Sequence, residues 1–505
     1  MNSNLPDIPR QLKVAMVVDN AIIGDSRVIK SAEAVAAFGH EVTLFGIDFG
    51  IEHPVIPGVN VKLIPIVNPK KKRGKKKRGK SSLLKRMLHP LVSVVFFASY
   101  ESKEVIIAQR EKLNTRRISI KEANGKNTVE GIILLLKFYP RLTIHQLRKK
   151  LSVMKNKANR KIILIFNRRR TLKAMAQKQK RPGFQPRPRS INWMYEEAFV
   201  QAITDFEPDV IHTHDYKCVS IGALVKEQLL SKDINTFWIY DAHEFLPGLV
   251  HYSAEWLELQ CQNERNYIQK ADCVITVSSE IADLLKKTHF LTNRPVVVLN
   301  APVTLEATNT TRDLRIDSNV GNEVLLGIYV GGVTPIRGLD VIIPALEAIE
   351  ELHITLLTRN DVNVETMQSL ADASGVGDRL HVVDYVSPNE IVQFISAASF
   401  GIAPYLHLLN QEISLPSKFY EYACANLPIV GSDVAVVKSV LERTNVGEVF
   451  EAGNAESFKD AVLKISSNLQ NYRDNYVNSE FMNCTWENQI IVLSKIYQTI
   501  AEQGT

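Results

Sequence analysis

Cysteine is scarce in this chain of 505 residues. The five that occur, Cys218, Cys261, Cys273, Cys424 and Cys484, are scattered and never spaced as a metal-binding pair or a two-cysteine redox motif, so a disulfide framework is excluded. They read as reduced core thiols. Long uncharged apolar runs are missing too. None reaches the roughly 18 to 20 residues that a spanning helix needs, and the opening stretch MNSNLPDIPRQ lacks the charged-then-apolar layout of a secretory signal. The expectation is a soluble or peripheral cytoplasmic protein. With 45% apolar and 23% charged residues, the usage is neither collagen-like nor wholly disordered. At roughly 100 to 200 residues per domain, two or three domains are expected.

Acidic residues are nearly absent from the middle of the chain. Residues 70–190 hold 36 Lys and Arg against 5 Asp and Glu, a net charge of +31, and the other 384 residues carry −24. Such asymmetry points to an anionic partner rather than to a fold. This insert opens PKKKRGKKKRGK, whose like charges will not pack, and continues with MLHPLVSVVFFASY (87–100), too short to span a bilayer but suited to an interface. GIILLLKFYPRL and RKIILIFNRRR repeat the apolar-plus-basic theme. At roughly 1 kcal/mol per basic residue near an anionic leaflet, a fraction of this charge would hold the chain at a membrane surface, which is the favoured partner. Nucleic acid is disfavoured, because the aromatic residues cluster in apolar runs instead of alternating with charge. Docking on the chain's own acidic body, or a partly disordered linker, stays open.

The body reads as strand-then-helix units. LKVAMVVD ends at Asp19, VIKSAEAVAAF follows with helical spacing up to Gly39, and EVTLFGI is the next strand. Beyond the insert come DVIHTH (209–214), a helix near 219–230, TFWIYDA (236–242), a polar helix from about 254 to 270, and DCVITVS (272–278). After a polar stretch at 304–322 the pattern restarts with EVLLGIYVGG, HITLLTRN, RLHVVDYV, FGIAPY and LPIVGSD. Alternation of this kind predicts an α/β protein of two doubly wound parallel-sheet domains, with ligands outside the carboxyl ends of the strands.

Chemistry-bearing residues sit at those strand ends. His243 and Glu244 follow TFWIYDA, and His214 and Asp215 follow DVIHT. In YVGGVTPIRGLDVIIPALEAI, Arg337 and Gly338 are expected to open a helix, whose free N–H groups with a cation suit phosphate. In SLPSKFYEYACANLPIV, Pro416 and Ser417 start a helix with Lys418 in its first turn and Glu421 three residues on, on the same side. A lysine there opposes the helix dipole unless an anion is bound. A carboxylate can accept two hydrogen bonds from vicinal hydroxyls. A plain surface pair of Lys418 and Glu421 is the alternative.

Taken together, DSRVIKSAEAVAAFGHEVTLFG, DVIHTHD, YDAHEFLPG, ADCVITVSSEIADLL, YVGGVTPIRGLDVIIPALEAI, SLPSKFYEYACANLPIV and TWENQIIVLSKIY resemble glycosyltransferase family 4, the retaining nucleotide-sugar transferases of GT-B architecture. The resemblance implies an N-terminal acceptor-side domain at 12–303 interrupted by the insert, a C-terminal nucleotide-sugar domain at 323–485, and a terminal helix, 486–505, that crosses back onto the N-terminal domain. It implies that Arg337 and Lys418, with the backbone of Leu415 and Pro416, hold the donor diphosphate, that Glu421 holds the nucleotide ribose, and that His243 lies beside the donor sugar. Gly331 and Gly332 would let backbone approach the phosphates, and Tyr385 and Val386 fall where the family holds the nucleobase. Asp25, Arg27, His214 and Asp215 lie on the loops where the acceptor is expected.

Two positions depart from the family pattern. Gly332 stands where an arginine is usual, and Ile413 where the first of two glutamates is usual, with Glu412 one residue earlier. Glu412, Ser414 or a backbone amide could take that role. No metal, and no cofactor beyond the nucleotide-sugar substrate, is implied. The expected activity is transfer of a hexose-type sugar, with retention, to a cell-surface glycan or lipid-linked acceptor. A non-catalytic GT-B scaffold acting through its basic insert is the alternative.

Overall fold

The computed structural model describes residues 10–66 and 191–503, apart from 51–52, 54, 251 and 305–311. The basic insert at 70–190, with its expected membrane contact, lies outside the described residues.

Thirteen strands are described. The first sheet has seven: β1 (Lys13–Val17), β2 (Glu41–Asp48), β3 (Val59–Pro65), β4 (Val210–His214), β5 (Phe237–Ala242), β6 (Cys273–Thr276) and β7 (Val296–Val297). They run in the order β3-β2-β1-β4-β5-β6-β7, every pairing parallel. The second sheet has β8 (Leu325–Val330), β9 (Leu352–Leu357), β10 (Leu380–Val383), β11 (Phe400–Ala403), β12 (Ile429–Ser432) and β13 (Gly447–Phe450). Its order is β10-β9-β8-β11-β12-β13, again all parallel. The two doubly wound sheets expected from the sequence are present. Central strands β1, β4 and β5 are buried almost throughout, as a parallel sheet covered on both faces demands. Each sheet carries an apolar core on both faces, for example Val14, Met16 and Val28 on one side of the first and Val17, Phe45 and Trp238 on the other.

Strand order reverses between β1 and β4 and again between β8 and β11. Adjacent loops diverge at such points and open a crevice at the carboxyl ends. The loops after β1, β4 and β5 in the first sheet, and after β8, β9 and β11 in the second, are therefore where functional side chains gather.

The last described helix, Trp486–Gln503, starts beside the second sheet and packs on the first. Trp486, Leu493, Tyr497, Ile500 and Ala501 share a core with Val28, Ala32 and Phe38. The Trp486 N–H donates to the Pro302 carbonyl (2.8 Å), the Leu299 N–H to Gln489 Oε1 (2.9 Å), and the Thr304 N–H to Glu487 Oε1 (2.7 Å). Both chain crossings between the sheets are thereby tied together. Leu493→Ala should lower stability by roughly 2–5 kcal/mol through the buried volume it empties, read as a lower urea midpoint with an unchanged slope.

Candidate functional site

A cleft of about 1190 Å³ lies between the carboxyl ends of the two sheets. The first sheet contributes Gly24, Asp25, Arg27, Lys30, His243 and Glu244; the second contributes Gly331, Arg337, Arg359, Tyr385, Lys418 and Glu421. Gly332, Val386, Ser414, Leu415 and Pro416 also line it, so the residues singled out in the sequence for donor binding reach one cavity, the alternative Glu412 excepted. Among the acceptor-side residues, Asp25 and Arg27 line the cleft, whereas His214 is buried behind it.

On the second sheet, glycine conformation sets the floor. Gly331 follows β8 with φ of 126°, and a side chain there would come within 3.4 Å of Lys418 Nζ. Gly338, at φ 70°, ends a tight 3₁₀ turn, Pro335–Arg337, and a Cβ would meet the Pro404 carbonyl at 1.9 Å. Arg337 thus stands on a 3₁₀ turn closed by a left-handed glycine, and the α-helix starts only at Ile342. This corrects the expectation of a helix N-terminus at Arg337: the guanidinium stands on a loop, not at a helix end.

Helix Ser417–Cys424 begins after Pro416, whose ψ of 153° sets the extended entry. Lys418 is buried, its Nζ 3.5 Å from the Tyr329 ring centroid and 5.4 Å from that of Tyr405. Arg337 also lies near Tyr405, its guanidinium carbon 5.8 Å from that ring centroid. Burial, then repulsion from Arg337, holds the Lys418 ammonium well below the usual lysine range, while Glu421 opposes both. Lys418 and Arg337 therefore bring two basic side chains to the same part of the cleft, beside the Tyr405 ring. Glu421 Oε2 is buried without a hydrogen-bond partner, and burial raises its carboxyl to about 7 against the pull of Lys418 and Lys30.

The sequence did not single out Lys30, which enters this site from the first sheet's helix Ser26–Ala37. Its ammonium donates to the Ala301 carbonyl and to Asn300 Oδ1, and lies 4.8 Å over the Trp486 ring. Burial, then Arg27, lowers it to about 8, while Glu421 and Glu487 draw it upward. In isolation it reads as a helix-surface lysine, but Asn300, Ala301 and the Trp486 ring of the terminal helix all contact its ammonium.

Behind His243 lies a buried charged network. Asp241 accepts from Arg27 Nε (2.8 Å) and Nη2 (2.9 Å), and His214 Nδ1 stands 3.3 Å from both Asp241 Oδ2 and His243 Nε2. Burial favours the neutral acid, yet the Arg27 and His243 charges hold Asp241 well below the usual carboxylate range. Burial likewise disfavours a charged His243, and the Asp241 carboxylate overrides it, raising the imidazole above its ordinary value. The charged form of this imidazole, on the first-sheet wall of the cleft, is therefore favoured more than in a free histidine. His212, His214 and Asp241 bring possible metal ligands within 4.8 Å of one another, but the Arg27 fork already engages both Asp241 oxygens. Asp241→Asn should cost roughly 3–5 kcal/mol, because Arg27 is left buried without its counter-charge, and the His243 titration observed by NMR should move to lower pH.

Known proteins place this site in context. The family model described as "Glycosyltransferase Family 4" matches residues 161–307, and the one described as "Glycosyl transferases group 1" matches residues 326–468. No curated protein matches the chain in sequence. Among solved structures, sucrose-phosphate synthase from Thermosynechococcus elongatus aligns with a TM-score of 0.58 at 14% identity, over 98% of this chain and 100% of that one. Anabaena HepE in complex with UDP-glucose aligns with a TM-score of 0.57 at 11% identity, over 98% and 99% of the two chains. WaaG, a glycosyltransferase of lipopolysaccharide biosynthesis, aligns with a TM-score of 0.54 at 11% identity, over 95% and 99%. The chain is a GT-B glycosyltransferase.

Within this glycosyltransferase the two departures from the family pattern acquire physical form. Glu412 is absent from the cleft wall: its Oε1 pairs with His407 Nδ1 (2.6 Å), and its Oε2 accepts from the Ala435 N–H (2.6 Å) at the start of helix Ala435–Thr444. The Ile413 carbonyl accepts from Ser278 Oγ (3.0 Å) on the first-sheet side. Of the three alternatives for the missing glutamate's role, Glu412 is engaged elsewhere, and Ser414 is in the cleft beside Asn410 and Gln411. Gly332, where an arginine is usual, is exposed with open space around it. Arg359, just after β9, supplies another guanidinium to the same cleft and reaches to 3.0 Å from the point where a Gly24 side chain would begin.

Proposed function

We propose that the chain transfers a hexose-type sugar, with retention of anomeric configuration, from a nucleoside-diphosphate sugar to a glycan or lipid-linked acceptor, and that it does so without a metal. The observation that carries this reading is the convergence of Lys418, Arg337 and the unpartnered Glu421 carboxylate around the Gly331 floor. A departing diphosphate needs fixed positive charge in a site with little water, and the two cations supply it. The ribose hydroxyls would donate to Glu421, satisfying an oxygen that otherwise costs roughly 1–3 kcal/mol. His243, whose charged form Asp241 favours, would face the donor sugar. Structures of HepE with UDP-glucose and UDP support a nucleotide-sugar donor. The basic insert would hold the enzyme at an anionic membrane surface on its cytoplasmic side.

Calorimetry and thermal shift against uridine, guanosine, adenosine and cytidine diphosphates, each with a chelator, test the donor assignment. A ligand at 100 times its Kd adds about 2.7 kcal/mol. Binding of one nucleotide class in chelator is expected. Absence of binding by all four in a folded sample would transfer the reading to the non-catalytic scaffold, and binding that requires a divalent ion would remove metal independence. Deleting residues 70–80 should weaken liposome binding at moderate salt while the diphosphate Kd stays within two-fold.

A further inference from the structure

Buried tyrosines around the second sheet place their hydroxyls on partners. Tyr422 Oη lies 3.1 Å from the Ile328 and Ile402 carbonyls and accepts from the Val330 N–H (3.1 Å). Tyr329 donates to the Gly332 carbonyl (3.0 Å) and Tyr476 to the Leu427 carbonyl (2.7 Å). Tyr405 differs. It is 2% exposed, and its hydroxyl is buried with no hydrogen-bond partner among the described residues. It also lines the cleft. A buried polar group left unpaired carries the full penalty of its lost hydration, which a ligand that pairs with it would relieve.

The chain holds this side chain in place from several directions. Tyr405 follows β11 after Pro404, whose carbonyl stands where a Gly338 side chain would begin. Gln411 ties the next residue to the arginine turn: its Oε1 accepts from the Leu406 N–H (2.9 Å) and its Nε2 donates to the Ile336 carbonyl (3.3 Å). Lys418 Nζ and the Arg337 guanidinium carbon lie 5.4 and 5.8 Å from the ring centroid. The hydroxyl interacts electrostatically with Tyr329, Arg337 and Glu421. Burial, then Tyr329, raises the phenol above the usual tyrosine value while Arg337 opposes, so the hydroxyl keeps its proton at any working pH.

Three oxygens on cleft-lining residues are buried without partners among the described residues: Asn410 Oδ1, Glu421 Oε2 and Tyr405 Oη. An amide oxygen and an ionised carboxylate only accept, whereas a phenol can donate. Of the three, Tyr405 is therefore the one suited to an anion. We infer that the Tyr405 hydroxyl donates a hydrogen bond to an oxygen of the nucleotide's diphosphate, as a further catalytic residue of the transfer. The inference rests on the donor reading above and adds to it a ligand without charge. When the bond from the sugar C1 to the diphosphate oxygen breaks, its electron pair goes to the diphosphate, and the phenol keeps its proton throughout. A fixed neutral donor stabilises that added charge without increasing the repulsion by which Arg337 already disfavours the Lys418 ammonium. A donor-sugar hydroxyl in the same place would leave affinity for a sugar-free diphosphate unchanged.

Tyr405→Phe in the full chain tests this, because it removes one oxygen and keeps the ring that both basic side chains approach. Calorimetry with uridine, guanosine, adenosine and cytidine diphosphates is paired with thermal melting of the free protein. The variant should melt no lower than the parent, and its affinity for the diphosphate that the parent binds should fall about ten-fold or more, as for a lost hydrogen bond to a charged group. The ³¹P resonances of the bound diphosphate should shift between parent and variant. Affinity within about two-fold of the parent, or a free variant melting lower by more than about 3 °C, would overturn the inference, the latter by showing that the hydroxyl has a partner before any ligand arrives. The two readings fail differently. A parent that binds no diphosphate defeats the donor site and this inference with it, whereas binding that Tyr405→Phe leaves intact defeats Tyr405 alone.

Discussion

Replacing Lys418 by methionine is expected to leave the free protein as stable as before, or more so, while lowering kcat/KM for the nucleotide sugar by about 10³, roughly 4 kcal/mol of transition-state stabilisation. The two halves of this expectation have one cause. The ammonium is buried against Tyr329, and burial with Arg337 lowers its pKa well below the ordinary lysine value. The folded state therefore disfavours a proton that the unfolded chain keeps, a penalty present at neutral pH that fades as pH rises toward the unfolded lysine pKa. Methionine fills similar space, keeps a sulfur contact with the ring and removes that penalty. The diphosphate, however, loses the charge that lies nearest the Gly331 floor. Thermal melting at pH 7 with and without nucleoside diphosphate measures both halves: the melting temperature of the free variant should not fall, and its ligand-induced rise should vanish. A variant that melts lower, yet still responds to diphosphate, would remove Lys418 from the site.

A conflict between local rule and global fold marks this position, and it was readable in part. A lysine in a helix's first turn followed three residues later by a glutamate was visible in SLPSKFYEYACANLPIV, as was its clash with the helix dipole. The strands were visible for a simpler reason: β1, β4, β5 and β8 are buried nearly end to end, so each is a continuous apolar run. The sequence reading missed β3 because it is an edge strand whose residues alternate between half-buried and exposed, and β13 because four residues at the other sheet's edge make too short a run. The Arg27–Asp241 pair joins positions 214 residues apart, and no local pattern in either segment announces it. Glu412 shows the opposite failure. Sequence spacing puts it one residue from a functional register, whereas in the structure the N–H of Ala435, at the head of helix Ala435–Thr444, claims its carboxylate.

Glu421 carries the remaining prediction, and its sign follows from its burial. With the folded carboxyl at about 7 against an ordinary value of 4.5, the native state holds a proton that the unfolded chain has released between those pH values. Stability is therefore greatest below about pH 4.5 as far as this group is concerned, and falls as pH rises through 7, by up to about 3 kcal/mol. Glu421→Gln removes the charge but keeps the shape, so this slope should flatten and the variant should melt higher than the parent at pH 8. Nucleotide binding works in the reverse direction. Ribose hydroxyls donate to the ionised carboxylate and draw its pKa down, so binding should release a proton near pH 6–7 and tighten as pH rises through that window. Calorimetry in buffers of different ionisation heat counts that proton. In Glu421→Gln the released proton should disappear, with affinity down by 10-fold or more at pH 8. Proton release that persists in the glutamine variant would assign the linkage to another group and leave Glu421 without a ribose to hold.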